Sequence, residues 1–136
     1  MEIAMKRLTS ALCIYAIGLS GFCAHCYPEK TYQAHWCGLN KGKQEVILFD
    51  KARIDCVTGT HAIEFDFASK WAESIGQALY YAHVTGLKPG IVLILENPQK
   101  EQKYLARVNA VAKKYGITVW TMKTSDLYVR KNCPQR

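Results

Sequence analysis

The sequence predicts an α/β domain with a mixed central sheet and helices on both sides. Three short β-rich runs come first and are followed by a segment with helical periodicity. The run from Gly90 to Leu95 is continuously apolar, which fits a strand buried on both faces. The predicted order is an α-β-β-β-α-β core with a C-terminal αβ extension.

The first half of the domain is predicted as one helix and a three-stranded meander. Pro28 lies near the first turn of the helix, and Gly38 is expected to end it. Turns at 50–51 and 58–60 separate runs rich in β-branched and aromatic residues. The predicted strands cover residues 44–49, 52–57 and 61–67.

The second half alternates helices and strands. Helical periodicity runs from Trp71 to Thr85 with Gly86 as its stop signal, and a basic helix is predicted from Lys100 to Tyr115. The strands of this half are expected at residues 90–95 and 117–120, and a last helical turn at 124–130.

The N-terminal 26 residues have the pattern of a signal peptide. Lys6 and Arg7 precede an apolar stretch over 8–22, which is shorter than the roughly 20 residues of a spanning helix. We therefore expect a single mature domain over 27–136, periplasmic or secreted, with no membrane span once the leader is removed.

The predicted mature domain is basic. The full chain has 136 residues and a net charge of +7, and without residues 1–26 it keeps 16 basic and 10 acidic groups, a net charge of +6. Excess positive charge favours polyanionic partners, of which nucleic acid is the commonest. Anionic lipid or a sugar acid would satisfy the same physics, so charge alone does not identify the partner.

Three of the six cysteines, Cys37, Cys56 and Cys133, belong to the predicted mature domain. In an oxidising compartment one disulfide could form. Cys37 and Cys133 are the candidate pair because both lie near the ends of predicted elements.

Acidic side chains gather in the second and third predicted strands. Asp55 lies in one, and Glu64 and Asp66 lie in the next, so adjacent strands would place carboxylates near one another. Carboxylate oxygens are the ligands that Mg²⁺ prefers, and two or three protein carboxylates with waters complete its shell. The sequence predicts a Mg²⁺ or Mn²⁺ site here. The alternative for Asp55 is a solvated strand residue paired with Arg53.

The helix after these strands carries a polar stripe. Its members recur about one turn apart and could face the same cleft: Lys70, Glu73, Gln77 and Tyr81. Lys70 is a candidate catalytic residue, and the alternative is a lysine whose stem lies along apolar surface. Gln77 and Tyr81 could contact substrate or could fill the core.

This arrangement resembles the restriction-endonuclease-like, or PD-(D/E)xK, nuclease superfamily over roughly Glu29 to Trp120. The resemblance implies that Asp55 and Glu64 hold magnesium. It also matches Gln77 and Tyr81 to the Gln-x-x-x-Tyr motif of the exonuclease branches and Glu29 to the glutamate of the first helix.

One position departs from that pattern. Asp66 stands where the superfamily keeps the lysine that orients or activates the attacking water, two residues after Glu64. Some members relocate this lysine to the following helix, and Lys70 is the candidate here. The alternative is an inactive member that keeps the fold for binding.

The function predicted from the sequence is an exported, metal-dependent nuclease. Asp55, Glu64, Asp66 and Lys70 form its catalytic set, with DNA favoured over RNA as substrate and a homodimer as an open option. The alternative is a nucleic-acid or polyanion binding domain without hydrolytic activity. A third reading is an interaction protein with a degenerate site.

Overall fold

A computed structural model describes residues 25–128, which form a five-stranded mixed sheet with three α-helices. In chain order the elements are α1 (Glu29–Leu39), β1 (Lys43–Ile47), β2 (Arg53–Val57), β3 (His61–Phe67), α2 (Trp71–Thr85), β4 (Lys88–Ile94), α3 (Pro98–Tyr115) and β5 (Thr118–Met122). The predicted α/β class and the predicted element order are confirmed. The predicted signal peptide lies outside the described residues, apart from its last two positions.

The strands lie side by side in chain order, β1-β2-β3-β4-β5. β1, β2 and β3 are antiparallel neighbours, whereas β3, β4 and β5 run parallel. Parallel neighbours need a crossover, and α2 and α3 provide the two crossovers. The αβ unit predicted as a C-terminal extension therefore adds the fifth strand to the same sheet.

Several predicted boundaries move. β3 and α2 have their predicted bounds, but α1 continues through Gly38 to Leu39, because glycine only weakens a helix by about 1 kcal/mol. Asn40 ends α1, and its side-chain amide donates to the Trp36 carbonyl at 2.8 Å. β1 stops two residues early, at Ile47, and the turn predicted over 124–130 is a short 3₁₀ turn over 124–126. None of the helices within residues 25–128 is both long and apolar enough to cross a bilayer.

Both faces of the central strands are covered. One core cluster packs α1 on the sheet around Tyr32 and Phe65, and the other packs α2 and α3 on the opposite face around Leu93 and Val108. All residues of β3 after His61 are buried as a result. The two acids of β3, Glu64 and Asp66, are therefore buried as well. In a strand with one face open to solvent, acids could lie on the exposed face.

A disulfide joins α1 to β2, but its partners are not the predicted ones. Cys37 pairs with Cys56 across a Cα–Cα distance of 5.9 Å, so the expected Cys37–Cys133 pairing is wrong. α1 lies over β2, and both sulfurs are fully buried between them. Gly42 allows the close approach, because a Cβ there would come within 2.4 Å of the Cys56 sulfur.

The chain before α1 is held by one carboxylate. Glu96, which follows β4, accepts hydrogen bonds from the backbone amide of Cys26 at 3.0 Å and from the Tyr32 hydroxyl at 2.7 Å. The His25 ring stacks on Phe67 with a centroid distance of 3.4 Å. Packing of the domain thus begins at least as early as His25.

We expect a Cys37→Ser/Cys56→Ser double variant to lose about 3 kcal/mol of unfolding free energy, because a loop with a sequence separation of 19 is no longer closed in the unfolded chain. In a domain of this size that loss lowers Tm by roughly 15 °C, which thermal unfolding followed by circular dichroism measures. Peptide mapping of the unreduced protein is the companion measurement. A Cys37–Cys133 cross-linked peptide would contradict the assignment.

Candidate functional site

One pocket, of about 510 Å³, brings together every residue that the sequence singled out for the site. They are Glu29, Asp55, Glu64, Asp66, Lys70, Gln77 and Tyr81. Their positions are findings, whereas their chemical roles stay predictions. The volume is in the range of pockets that hold small ligands.

Four elements supply these side chains. Glu29 comes from the first turn of α1, Asp55 from β2, and Glu64 and Asp66 from β3. The stripe of α2 from Glu73 to Tyr81, together with Lys70 directly before α2, faces the pocket, as the one-turn spacing predicts. Glu73 belongs to this stripe and lines the pocket too, although no separate role was predicted for it.

Asp55 lies where β2 and β3 separate. The two strands pair only at Cys56–Ile63 and Val57–Ala62. Next to this pairing, the Asp55 carboxylate accepts the backbone N–H of Phe65 at 2.9 Å, in the place of a strand carbonyl. This bond lowers the pKa of Asp55, but burial raises it more strongly, and the net pKa is above the usual value.

Glu64 is the least satisfied carboxylate of the pocket. Its side chain is buried, and its Oε2 atom has no hydrogen-bond partner among the described residues. Burial first, and the neighbouring charges of Asp55 and Asp66 next, raise the pKa of Glu64 well above its usual range. A buried, unpartnered carboxylate oxygen is costly unless a proton or a cation neutralises it.

Lys70 reaches Asp66, the acid two residues after Glu64. Its Nζ lies 3.7 Å from Oδ1 of Asp66, one helical turn away in sequence. Burial, followed by the charge of Glu29, raises the pKa of Asp66 to about 7, while Lys70 opposes the rise. Asp66 and then Glu73 raise the pKa of Lys70, so its ammonium stays charged at neutral pH.

Gln77 and Tyr81 contact each other at the inner end of the stripe. The Gln77 amide donates to the Tyr81 hydroxyl at 3.3 Å. The Tyr81 ring packs against Ile54 and Ala62, and burial raises the pKa of its hydroxyl. Tyr81 therefore fills the core and lines the pocket at once, so the two readings of the sequence do not exclude each other.

The alternative expectation for Asp55, a pairing with Arg53, is wrong. The Nη1 atom of Arg53 lies 2.9 Å from Oε2 of Glu45. Gln33, which the sequence did not indicate, is almost fully buried and donates to both the Asp55 carbonyl at 2.6 Å and Glu45 at 2.8 Å. Gln33 thus fixes the backbone of β2 at Asp55 from α1. No local pattern marks such a residue, because its role depends on how α1 packs on β2.

The pocket is richer in acidic groups than the protein as a whole. Five carboxylates line it, against the three cationic groups of Lys51, Arg53 and Lys70, although the whole chain carries +7. Like charges held together raise the free energy of the folded state. A divalent cation would neutralise the excess.

The residues present fit a hard divalent cation, although no ready-made ligand set exists. Within residues 25–128, no group of three His, Cys, Asp or Glu side chains is placed to hold a metal ion by itself. Magnesium keeps several waters and needs few protein oxygens. Asp55 and the unpartnered oxygen of Glu64 offer suitable atoms.

No family model, no curated protein and no solved structure matches this chain.

We expect Glu64→Gln to raise the stability of the metal-free protein at pH 8, because Glu64 is ionised in the unfolded chain and must take up a proton to be buried, whereas the amide is neutral in both states. A gain on the order of 1 kcal/mol would raise Tm by about 4–8 °C. Manganese should raise the Tm of the wild type through binding to the folded state, but not that of Glu64→Gln. Glu101→Gln on α3 outside the pocket is the control. Equal manganese shifts in all three proteins would show that Glu64 does not bind the ion.

Stability should also depend on pH through Asp66. Its pKa rises from 3.8 in the unfolded chain to about 7 in the fold, so the folded state binds the proton more tightly. The associated stability is complete below about pH 4 and is lost as the pH rises to 7. In EDTA, Asp66→Asn should show a shallower decline of Tm between these pH values than the wild type. Parallel Tm profiles would contradict this assignment.

Proposed function

We propose that this protein is a metal-dependent phosphodiester hydrolase acting on nucleic acid, with the restriction-endonuclease-like fold. The observation that carries the proposal is the convergence of Asp55, the unpartnered Glu64 and the cation of Lys70 on one pocket. The order α1-β1-β2-β3-α2-β4 supports the fold assignment, since it is the order that the resemblance implies.

Asp55 and Glu64 are the residues that would hold magnesium or manganese. Such an ion supplies a Lewis acid that neutralises charge on the phosphoryl oxygens and lowers the pKa of the attacking water. Asp55 is preoriented by the Phe65 amide, which leaves its other oxygen for the ion. Glu64 has no competing hydrogen-bond partner at Oε2 among the described residues, and because its pKa is raised, binding of the ion would displace a proton from the carboxyl group.

Lys70 acts as a charged donor in this proposal. Its raised pKa keeps the ammonium protonated, so it orients the attacking water or offsets negative charge in the transition state and does not accept a proton. Asp66 is the positioning partner that holds Lys70 towards the pocket at 3.7 Å. The lysine missing after Glu64 is thereby replaced from the following helix.

Gln77, Tyr81 and Glu29 complete the proposed site as substrate-contacting residues. The Gln77 amide and the Tyr81 hydroxyl already share a hydrogen bond, which fixes the orientation of both groups at the pocket wall. Their polar atoms can bond a phosphate or a base. Glu29 lines the same pocket from α1, with burial raising its pKa.

The competing proposal is a polyanion-binding domain without hydrolytic activity. The substitution of the motif lysine by Asp66 favours it, but the charge of the pocket does not. Once they are ionised, the five carboxyl groups would repel the phosphates of a bound polyanion unless a cation lay between them. The Cys37–Cys56 disulfide agrees with export of the protein, because disulfides persist in oxidising compartments.

The test is cleavage of labelled single- and double-stranded DNA and RNA with EDTA, magnesium or manganese. We expect metal-dependent cleavage by the wild type, and a loss on the order of 100-fold in kcat for Lys70→Ala, the scale of removing one donor to a developing charge. Asp55→Asn should lose as much or more.

Matched controls lie away from the pocket. Lys113→Ala removes an exposed lysine of α3, and Asp126→Asn removes an exposed aspartate near the end of the described chain. Both should cleave like the wild type. Failure of the wild type to cleave any of the four substrates with either ion would refute the hydrolase.

A further inference from the structure

An exposed phenylalanine stands at the tip of the hairpin between β1 and β2. The Phe49 side chain is 85 % exposed, and Ile47 on the same hairpin is 71 % exposed. Leu48 between them packs against a core cluster, so the hairpin has an inward-facing anchor already. Single exposed apolar residues are common on protein surfaces, so the exposure of Phe49 alone does not indicate a function. Its position in the hairpin is the more informative observation.

The hairpin forms one side of the pocket. Ile47, Lys51 and Arg53 line it, and Phe49 lies between Ile47 and Lys51 in sequence. Lys51 has a φ of 71°, a left-handed conformation that glycine or asparagine adopts at lower cost. A lysine at this position adds nothing to the turn itself, but it places an ammonium beside the pocket.

The tip is held in place from two sides. The Lys51 amide donates to the Leu48 carbonyl at 3.0 Å and closes the turn. From the other side, the Tyr80 hydroxyl on α2 donates to the carboxylate of Asp50, which directly follows Phe49. The phenyl ring is therefore presented from an ordered turn, so little conformational freedom is lost when it binds a flat partner.

The depth of the acids limits which nucleic acid can reach them. Asp55, Glu64 and Asp66 are at most 7 % exposed. A rigid duplex keeps its backbone on a cylinder, whereas a flexible single strand can lower one phosphodiester into the pocket. Bases inside a duplex are also stacked on both faces, so an isolated aromatic ring can stack only on an unpaired or terminal base.

We propose that Phe49 is a stacking platform for an unpaired base of single-stranded nucleic acid, with Lys51 contacting an adjacent phosphate. This inference rests on the proposed function of the pocket and assigns its substrate class. It predicts a preference for single strands and frayed ends over closed duplex. Aromatic stacking accepts every base, so the preference would be for structure and not for sequence.

A second copy of the chain is the other candidate occupant of this hairpin, and the observations favour it less. β1 is an edge strand of the described sheet, but the exposed Lys43 and the left-handed φ of 54° at Glu45 both disfavour pairing with another strand. The cations of the hairpin, Lys43, Lys51 and Arg53, outnumber its acids, Glu45 and Asp50, by one, and Arg53 is paired with Glu45. The remaining positive charge suits phosphates.

The test measures binding without requiring cleavage. A single-stranded oligonucleotide of about 12 nucleotides, within the usual site size, carries phosphorothioate linkages and a central 2-aminopurine, and the same strand is also used as a duplex. Fluorescence anisotropy gives Kd, and 2-aminopurine quenching reports stacking. The proteins are the wild type, Phe49→Ala, Phe49→Trp and the control Tyr115→Ala, which removes an exposed aromatic residue at the end of α3.

We expect Phe49→Ala to weaken single-strand binding about tenfold or more, the scale of one lost base–aromatic stack, and to lose the quenching. Phe49→Trp should retain both, and duplex binding should change less than twofold. Equal losses for both probes, no loss, or no single-strand binding by the wild type would overturn the inference. So would a changed oligomeric state of Phe49→Ala with unchanged binding.

Failure of this inference is distinguishable from failure of the hydrolase. Cleavage with no dependence on Phe49 would leave the hydrolase standing and remove the stacking platform. Phe49-dependent stacking with no cleavage under any metal would leave the platform and remove the hydrolase. Because Phe49 is exposed, its alanine variant should keep the wild-type Tm, which confirms that the binding data come from folded protein.

Discussion

The hydrogen bond from the Phe65 amide to the Asp55 carboxylate is the constraint on which the pocket depends. It replaces a backbone hydrogen bond between the two strands. β2 can therefore diverge from β3 without leaving the buried N–H group of Phe65 unpaired. The opening that results is where the β3 acids and the α2 stripe meet. A fully paired β2 would close this space and leave no room for a ligand.

The rest of the molecule holds this opening against the repulsion of its own acids. Gln33 ties the Asp55 carbonyl to α1, and the Cys37–Cys56 disulfide ties the next residue of β2 to the same helix. On the other side, β3 is paired along its whole length with β4. The acids are thus fixed on a rigid frame, and the cost of placing them there is offset elsewhere in the fold.

Residues whose signal is local could be predicted from the sequence. β3 and α2 have strong periodicity and clear turn or glycine boundaries, and the one-turn spacing from Lys70 to Tyr81 placed that stripe on the pocket. Boundaries set by packing moved by one or two residues, as at Ile47. The site's main acids were found because their spacing in adjacent strands is itself a local pattern.

Features that depend on tertiary contacts could not be predicted in this way. Gln33, the partner of Cys37, and the pairing of Arg53 with Glu45 all depend on how closely α1 approaches β2. That distance has no signature along the chain. The exposure of Phe49 could not be predicted either, because an apolar residue beside a turn is buried in some proteins and exposed in others.

Glu96 has a practical consequence for making the protein. Its carboxylate receives the chain at Cys26, and His25 stacks on Phe67, so a recombinant protein beginning at Tyr27 would lose both contacts near the C-terminal ends of β3 and β4. Its new α-amino group would then lie close to Glu96, whose oxygen already accepts the Tyr27 amide at 3.4 Å. An affinity tag joined at that point would compete with the fold for the same carboxylate. Fusion partners are better attached several residues before His25.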